Sequence, residues 1–415
     1  MAQACDLIIV GGGVNGAATC RDASMRGLNT LLLERGDFAS GASGHNGRMI
    51  HGGLRYLGNG DIGLVIEALR ERATLLAIAP HLVCPSTLLI PVRDGARHPE
   101  WMLRLGLMAL DALALGRFPR HRRLDRRAAL ARVPSLRPDG LSAGFVMPDA
   151  YAECAERLTI ENLLAAVAAG AVIRNHAPVT RIEPIHGGQL RVTWQEADGE
   201  KAATAPVVVN ATGAWTDAFL SRAAGVNSAL ITRAKGSFIV FEPRDGTPRE
   251  AVFVESPADG RPVLVAPWQG NILVGTTDVV IEGAADTAAT TEAEVDYLLA
   301  ALDEAFVPGT FPRSAICFTY CGVRPLPTAA GPSHRITRKH VIHRHPAPLK
   351  GLISIYGGKL STFRSLAEDA TDAVFALLGR TSPRSMTART PLPGASGAVD
   401  AAEAFAPLAE VTRRR

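Results

Sequence analysis

A glycine fingerprint between two apolar runs, close to the N-terminus, constrains the fold of this chain most. Residues 6–10 form a short apolar run typical of a buried parallel strand. The glycines that follow have the G-x-G-x-x-G spacing: Gly11, Gly13 and Gly16. Small and apolar residues then recur at helical spacing over 17–27, and residues 30–33 form a second strand that ends at Glu34. The order predicts a β-α-β dinucleotide-binding unit.

This arrangement suits a pyrophosphate linked to a ribose. Glycines let the backbone approach phosphate oxygens, a helix N-terminus offers free N–H groups and a positive dipole, and the acid binds ribose hydroxyls. The fingerprint alone leaves NAD and FAD open. Residues 36–47, however, are mostly small, and small side chains there suit a cofactor that extends past the pyrophosphate to a flavin ring. We therefore expect FAD.

Composition places the chain among globular proteins and limits its partners. A length of 415 residues exceeds one ordinary domain of ~100–200 residues, and we expect two domains. The formal net charge of +4 is a mild basic excess that favours an anionic substrate or membrane surface and is too small to indicate nucleic-acid binding. Six scattered cysteines indicate reduced, mostly buried thiols. The first strand starts too early for a secretory leader, so we expect a cytoplasmic protein.

Several further blocks resemble the FAD-dependent glycerol-3-phosphate dehydrogenases of the D-amino-acid-oxidase-like flavoprotein superfamily. They follow the fingerprint in order and comprise residues 49–57, 209–213, 274–278, 322–326 and 356–364. Two departures stand out. Family members usually have Lys-Gly-Ser-His where this chain has Lys235-Gly236-Ser237-Phe238. They also continue as a C-terminal helical domain, and we expect this chain to be a short form that lacks most of that domain.

The resemblance implies an α/β fold in which a Rossmann-like FAD-binding domain is interleaved with an α+β substrate domain on a mostly antiparallel sheet. Glycine-rich blocks recur along the chain, which supports the interleaving. We expect the following division: 1–75, 150–215 and 322–394 for the FAD-binding domain, 76–149 and 216–321 for the substrate domain, and 395–415 for a tail. The implied activity is oxidation of sn-glycerol 3-phosphate to dihydroxyacetone phosphate, with electrons passed to a quinone or another acceptor.

The resemblance also implies which residues form the site. Arg324 and Lys359 would carry the substrate, with Arg55 and Tyr56 lining the site; arginine forks grip phosphate best, and lysine adds a point charge. His51 is the best candidate for the catalytic base, and a histidine that only orders its turn is the alternative. Expected FAD contacts are Gly11, Gly13, Val14, Asn15, Gly16, Glu34, Arg35, Ala42, Ser43, Asn46, Met49, Ile50, Val179, Ala211, Thr212, Gly213, Gly357, Gly358, Lys359, Leu360, Ser361 and Thr362. A helix starting near Leu360 would direct its dipole at the flavin.

Two other segments leave their interpretation open. Residues 101–127 combine apolar positions with a cluster of seven basic residues at 117–127, which fits either a helix buried on its own core beside a solvated loop or a peripheral membrane contact. The histidines between 334 and 345 alternate with apolar residues as on an exposed edge strand, and we expect no metal site there.

Three functions remain open on the sequence. The first is the glycerol-3-phosphate dehydrogenase, the second a related flavin enzyme for another polyol phosphate, a hydroxy acid or an amine, and the third a non-catalytic FAD-binding subunit. An oligomer remains open for each of them.

Overall fold

A six-stranded sheet carries the fingerprint. The computed structural model describes residues 3–53, 60–329 and 336–395. In spatial order the strands are β18 (Val341–Arg344), β19 (Leu352–Tyr356), β11 (Val207–Asn210), β2 (Leu7–Val10), β3 (Thr30–Leu33) and β7 (Val172–Arg174). All neighbours are parallel except the edge strand β18. The central strands are buried on both faces, which explains their uninterrupted apolar runs.

Different elements cover the two faces of this sheet. Leu7 and Ile9 face helices, whereas Ile8 and Val10 face a second, four-stranded sheet, as the alternation of a strand requires. The helices are α1 (Val14–Met25), α5 (Ala155–Ala168) and α8 (Phe363–Leu378). The small sheet contains β1 (Gln3–Ala4), β10 (Gly199–Ala205), β9 (Leu190–Glu196) and β8 (Val179–Pro184), and α6 (Thr216–Ala224) packs beside it.

A nine-stranded, mostly antiparallel sheet forms the other half of the described chain. Its order is β16 (Val279–Val280), β12 (Ile231–Phe241), β15 (Asn271–Gly275), β14 (Pro262–Trp268), β13 (Ala251–Glu255), β4 (Cys84–Arg93), β6 (Leu141–Tyr151) and β5 (Arg122–Asp125), with β17 (Ile316–Pro327) paired to β12. Only β13 and β4 are parallel. Associated helices are α2 (Ile62–Ile78), α3 (Glu100–Leu113), α4 (Arg126–Arg132) and α7 (Glu292–Ala305).

Some local predictions need correction. Residues 171–181, whose sequence is typical of one strand, contain parts of two strands, β7 and β8, which belong to different sheets. The helix expected near Leu360 begins at Phe363, because the preceding residues form a turn closed by the Thr362 N–H and the Lys359 carbonyl (3.0 Å). Of the six free cysteines only Cys5 and Cys20 are buried. The predicted domain division stays a prediction, and its boundary at 322 falls inside β17.

Candidate active site

The glycine turn after β2 brings three segments into close contact. Gly11 has φ +115°, and a Cβ there would lie 2.6 Å from the Ala211 carbonyl oxygen, so a side chain would be strained and obstructed. Backbone hydrogen bonds hold the turn: the Gly11 N–H donates to the Leu33 carbonyl (2.8 Å), and the Ala211 N–H donates to the Val10 carbonyl (2.8 Å). Residues far apart in the chain therefore meet at the carboxyl ends of β2, β3 and β11.

The start of α1 and the acid after β3 fit a pyrophosphate and a ribose. Gly13 is the N-cap and places no side chain over the helix end, and the first turn contains no acidic residue to compete with an anion. Glu34 accepts hydrogen bonds from the N–H of Gly12 (2.6 Å) and of Gly36 (2.9 Å), which holds its carboxylate against the turn. A carboxylate has further acceptor capacity for ribose hydroxyls. The donors and acceptors present thus fit the adenosine diphosphate part of FAD.

The loop of small residues after Glu34 is ordered by its own hydrogen bonds. The Asn46 amide donates to the carbonyls of Ser43 (2.7 Å) and Ala42 (3.2 Å), and the Ser43 hydroxyl accepts from the Val14 N–H (2.9 Å). Arg48 is 4% exposed and is fixed by Glu156 (2.5 Å) and the Gly44 carbonyl (2.7 Å). The loop therefore forms a preorganised wall of a cavity.

One cavity of about 500 Å³ connects this turn with residues of the large sheet. It collects most of the predicted site residues from segments that are distant in sequence. Predicted residues in its lining are Gly11, Gly13, Val14, Asn15, Glu34, Arg35, Ala42, Ser43, Asn46, Met49, His51, Val179, Ala211, Thr212, Gly213, Arg324, Gly357, Gly358, Lys359, Leu360 and Ser361. A cofactor bound at the glycine turn would extend from there toward Arg324 and Lys359.

The structure places the other predicted residues elsewhere. Gly16 does not line the cavity; it packs against the Gly11 carbonyl, so its role is close packing within the turn. Ile50 is fully buried and Thr362 is 1% exposed, and neither lines the cavity. Arg55 and Tyr56 lie outside the described residues.

Cationic side chains line the part of the cavity beside β17, called the cationic end here. Arg324 on β17 donates to the Thr276 hydroxyl (2.9 Å) and to the Asp278 carboxylate (3.2 Å). Arg338 also lines this end, and its guanidinium lies 3.6 Å from the Asp278 carboxylate. Sequence reasoning missed Arg338 because no recognisable motif surrounds it. Such convergent arginines are suited to bind an anion such as a phosphate.

Lys359 follows two glycines that shape a turn beside the cavity. Gly357 and Gly358 both have φ +77°, which directs the chain past the cavity before α8 begins. Burial lowers the pKa of the Lys359 ammonium to about 8, against the opposing influence of the Glu67 and Asp61 carboxylates. The cation therefore lies in a partly dry site, where its charge acts strongly on a bound anion.

His51 lies in a turn that the large sheet holds in place. The neighbouring Ile50 N–H donates to the Ala150 carbonyl (2.9 Å), and Met49 forms a bridge with Tyr151. Asp149, which also lines the cavity, is 1% exposed and pairs with Arg72 at 2.9 Å. His51 is thus positioned at the cavity wall, and its role as the base stays a prediction.

Phe238, the departure from the usual family pattern, forms an apolar part of the wall. It is 3% exposed, lines the cavity and stacks on Tyr320 with ring centroids 4.9 Å apart. The Tyr320 hydroxyl donates to the Asn46 carbonyl (2.8 Å), which ties this aromatic pair to the small-residue loop. An aromatic ring therefore occupies the position where a polar side chain is usual.

The glycine turn, the acid after β3 and a cavity that extends to a cationic end define a dinucleotide-binding flavoprotein. The chain belongs to the family of FAD-dependent oxidoreductases, whose family model matches residues 6–364. This family membership confirms the predicted fold class and cofactor, FAD.

Individual relatives agree with this assignment. The chain is 39% identical over 405 residues to a glycerol-3-phosphate dehydrogenase of Synechocystis sp., covering 94% of this chain and 73% of the relative. It is 37% identical over 372 residues to a D-erythritol 1-phosphate dehydrogenase of Brucella abortus, covering 88% of this chain and 72% of the relative. The structure resembles that of a glycerol-3-phosphate dehydrogenase from Bacillus halodurans complexed with FAD, with a TM-score of 0.76 and 27% identity. The match covers 99% of this chain and 71% of the Bacillus halodurans chain.

Proposed function

We propose that this flavoprotein oxidises sn-glycerol 3-phosphate to dihydroxyacetone phosphate and passes the electrons to a quinone or another acceptor. The observation that carries the substrate class is the cationic end of the cavity, which Arg324, Arg338 and Lys359 line. The names of the relatives in Synechocystis sp. and Brucella abortus support a polyol phosphate.

The proposed roles follow from the positions of these residues. FAD, when bound, supplies the acceptor for the two electrons of the alcohol carbon. Arg324 and Lys359 hold the phosphate of the substrate, so that binding energy from a remote group orients the reacting carbon. His51, at the cavity wall, accepts the hydroxyl proton. Phe238 lines the same cavity and contributes only an apolar surface, so it cannot accept a proton.

We further propose that α3 mediates a peripheral membrane contact through which a quinone is reached. Leu107 and Leu110 are buried, whereas Trp101, Leu105 and Met108 are between 51% and 61% exposed. Exposed arginines follow in the chain: Arg117, Arg120, Arg122, Arg123, Arg126 and Arg127. None of the helices in the described part of the chain has the length and apolar character needed to cross a bilayer. An apolar helix face beside arginines suits the interface of an anionic membrane.

The substrate assignment is tested by reducing the flavin of the purified holoprotein without oxygen. We expect glycerol 3-phosphate to bleach the flavin absorbance rapidly, and glycerol to do so very slowly because it lacks the phosphate. D-erythritol 1-phosphate is the matched comparison, since it carries the same phosphate on a longer polyol.

The outcomes separate the alternatives. Faster bleaching by D-erythritol 1-phosphate would assign the longer polyol as the substrate. Equal rates with glycerol and glycerol 3-phosphate would contradict phosphate recognition, and no bleaching by any polyol phosphate would favour a different substrate class or a non-catalytic subunit.

A further inference from the structure

Asp278 is a fully buried carboxylate at the cationic end of the cavity. It follows β15 in a short segment in which the neighbouring side chain of Thr277 is hydrogen-bonded: its hydroxyl donates to the Glu294 carboxylate (2.8 Å) and accepts from the Ser237 N–H (2.9 Å). Glu294 is itself fixed by an ion pair with Lys235 at 2.7 Å. Asp278 therefore follows a residue that is anchored to the large sheet.

Three arginines converge on this one carboxylate. Its oxygens lie 2.7 Å from the Arg261 guanidinium, 3.2 Å from that of Arg324 and 3.6 Å from that of Arg338. The Asp278 side chain is 0% exposed, and the arginine side chains are 18%, 29% and 8% exposed. Arg261 precedes β14, Arg324 lies within β17 and Arg338 precedes β18, so only tertiary structure unites them.

The cluster carries an excess of positive charge toward the cavity. Arginine stays protonated in proteins, so three guanidiniums and one carboxylate leave a net charge of about +2. Without a carboxylate between them, like charges this close would repel strongly in a partly dry site. Gly236 leaves room for the Arg324 guanidinium, because a side chain at Gly236 would overlap it.

We propose that Asp278 is a positioning residue, which holds Arg324 and Arg338 at the cavity wall, with Arg261 paired to it behind them, as a site for a dianionic phosphate monoester. This inference rests on the proposed function and specifies the charge state of its substrate. A phosphate monoester carries about −1.5 to −2 charges at neutral pH, which matches the excess of the cluster. Asp278 does not touch the phosphate; it acts through the arginines.

The test is Asp278→Asn in the FAD-loaded protein, with inorganic phosphate as the probe. Removing a negative charge makes the site more positive, so a purely electrostatic effect would tighten phosphate binding. Loss of the anchor predicts the opposite. We expect the Kd of inorganic phosphate, measured by calorimetry, to rise at least about tenfold, the factor expected for one lost charge-assisted hydrogen bond. The KM of a substrate phosphate should rise similarly, and Asp278→Glu should restore part of the binding.

Asp22→Asn is the matched control, because Asp22 is also 0% exposed and paired with an arginine, Arg26, at 2.7 Å. Arg26 does not line the cavity, whereas Arg324 and Arg338, the partners of Asp278, do. It should lower the melting temperature without changing phosphate binding. If Asp278→Asn fails to fold, Arg261→Gln provides a second test, since Arg261 contacts Asp278 without lining the cavity. Its loss lowers the charge excess and draws the other arginines toward the carboxylate, so phosphate binding should weaken.

Phosphate binding needs no turnover, so the result is independent of whether glycerol 3-phosphate is the substrate. Weaker phosphate binding in Asp278→Asn together with no oxidation of any polyol phosphate would reject the proposed function and keep this inference. Phosphate binding by Asp278→Asn as tight as in the wild type, or no phosphate binding by the wild type, overturns it.

Discussion

At the scale of single residues, Lys359 shows how burial adjusts a charge for binding. Its pKa lies near 8 because the surrounding protein disfavours the ammonium, although Glu67 and Asp61 partly offset this. A lowered lysine pKa means that the cation is present below pH 8 and is lost as the pH rises through that value. Substrate binding that depends on this cation should follow the same titration.

We therefore expect kcat/KM for glycerol 3-phosphate to fall as the pH rises above about 8. The profile of kcat/KM reports groups of the free enzyme, so initial rates of dye reduction between about pH 6.5 and 9.5 measure it directly. The substrate phosphate is already a dianion over most of that range and does not confound the profile. Lys359→Arg is the control, because arginine stays protonated and should remove the fall. An identical fall in this variant would assign the titration to another group.

At the scale of elements, α3 buries one apolar face and exposes another. Leu107 and Leu110 pack on the large sheet and the neighbouring helix, whereas Trp101, Leu105 and Met108 face solvent. The structure thus contains a feature of each interpretation of residues 101–127. The core-facing side fits a buried helix, and the exposed apolar side fits a membrane contact. Periodicity alone could not separate them, since both faces consist of the same residue types.

The membrane contact predicts that the protein binds anionic vesicles at low salt and less at high salt, because the arginine attraction is screened. Leu105→Asp combined with Met108→Asp should abolish most of this binding in a vesicle sedimentation assay. Leu164→Asp is the control, since Leu164 is also exposed, at 49%, but lies on α5. Binding that survives the double substitution, or that Leu164→Asp reduces equally, would contradict a contact through α3.

At the scale of the whole molecule, the cavity draws its lining from both large sheets. Its walls include the glycine turn after β2 and residues of β12 and β17. A bound FAD would therefore contact parts of both sheets. Ligand that binds only the folded state stabilises it by mass action, by ~2.7 kcal/mol at about a hundredfold excess over Kd.

We expect removal of FAD to lower the melting temperature by a few degrees and added FAD to restore it. Gly13→Val should abolish this response, because its side chain would project where the backbone approaches the pyrophosphate, with the Cβ 3.2 Å from the Ser43 hydroxyl. Gly63→Val is the control, since a Cβ at Gly63 meets nothing within 4 Å and the residue lies on α2. A Gly13→Val protein with full flavin occupancy would contradict the assignment of this turn.

The amino-acid sequence by itself determined the β-α-β unit, its glycine turn and Glu34. These depend on short-range sterics and on the periodicity of adjacent residues, which a single sequence displays directly. The resemblance pointed further, to Arg324 and Lys359. It assigned no role to Asp278, although that residue stood within one of its blocks.

Only the tertiary structure decided how the cationic end is assembled and which residues line the cavity. Arg338 and Arg261 lie in segments without a recognisable pattern. Arg261 precedes β14, Asp278 follows β15 and Arg338 precedes β18, so only packing brings both arginines to the carboxylate. Ile50 was expected at the cofactor, but its side chain is fully buried in the core. In an extended segment a shift by one residue exchanges the side chains that face the core and the cavity. Convergence of distant residues depends on packing, which the local sequence does not encode.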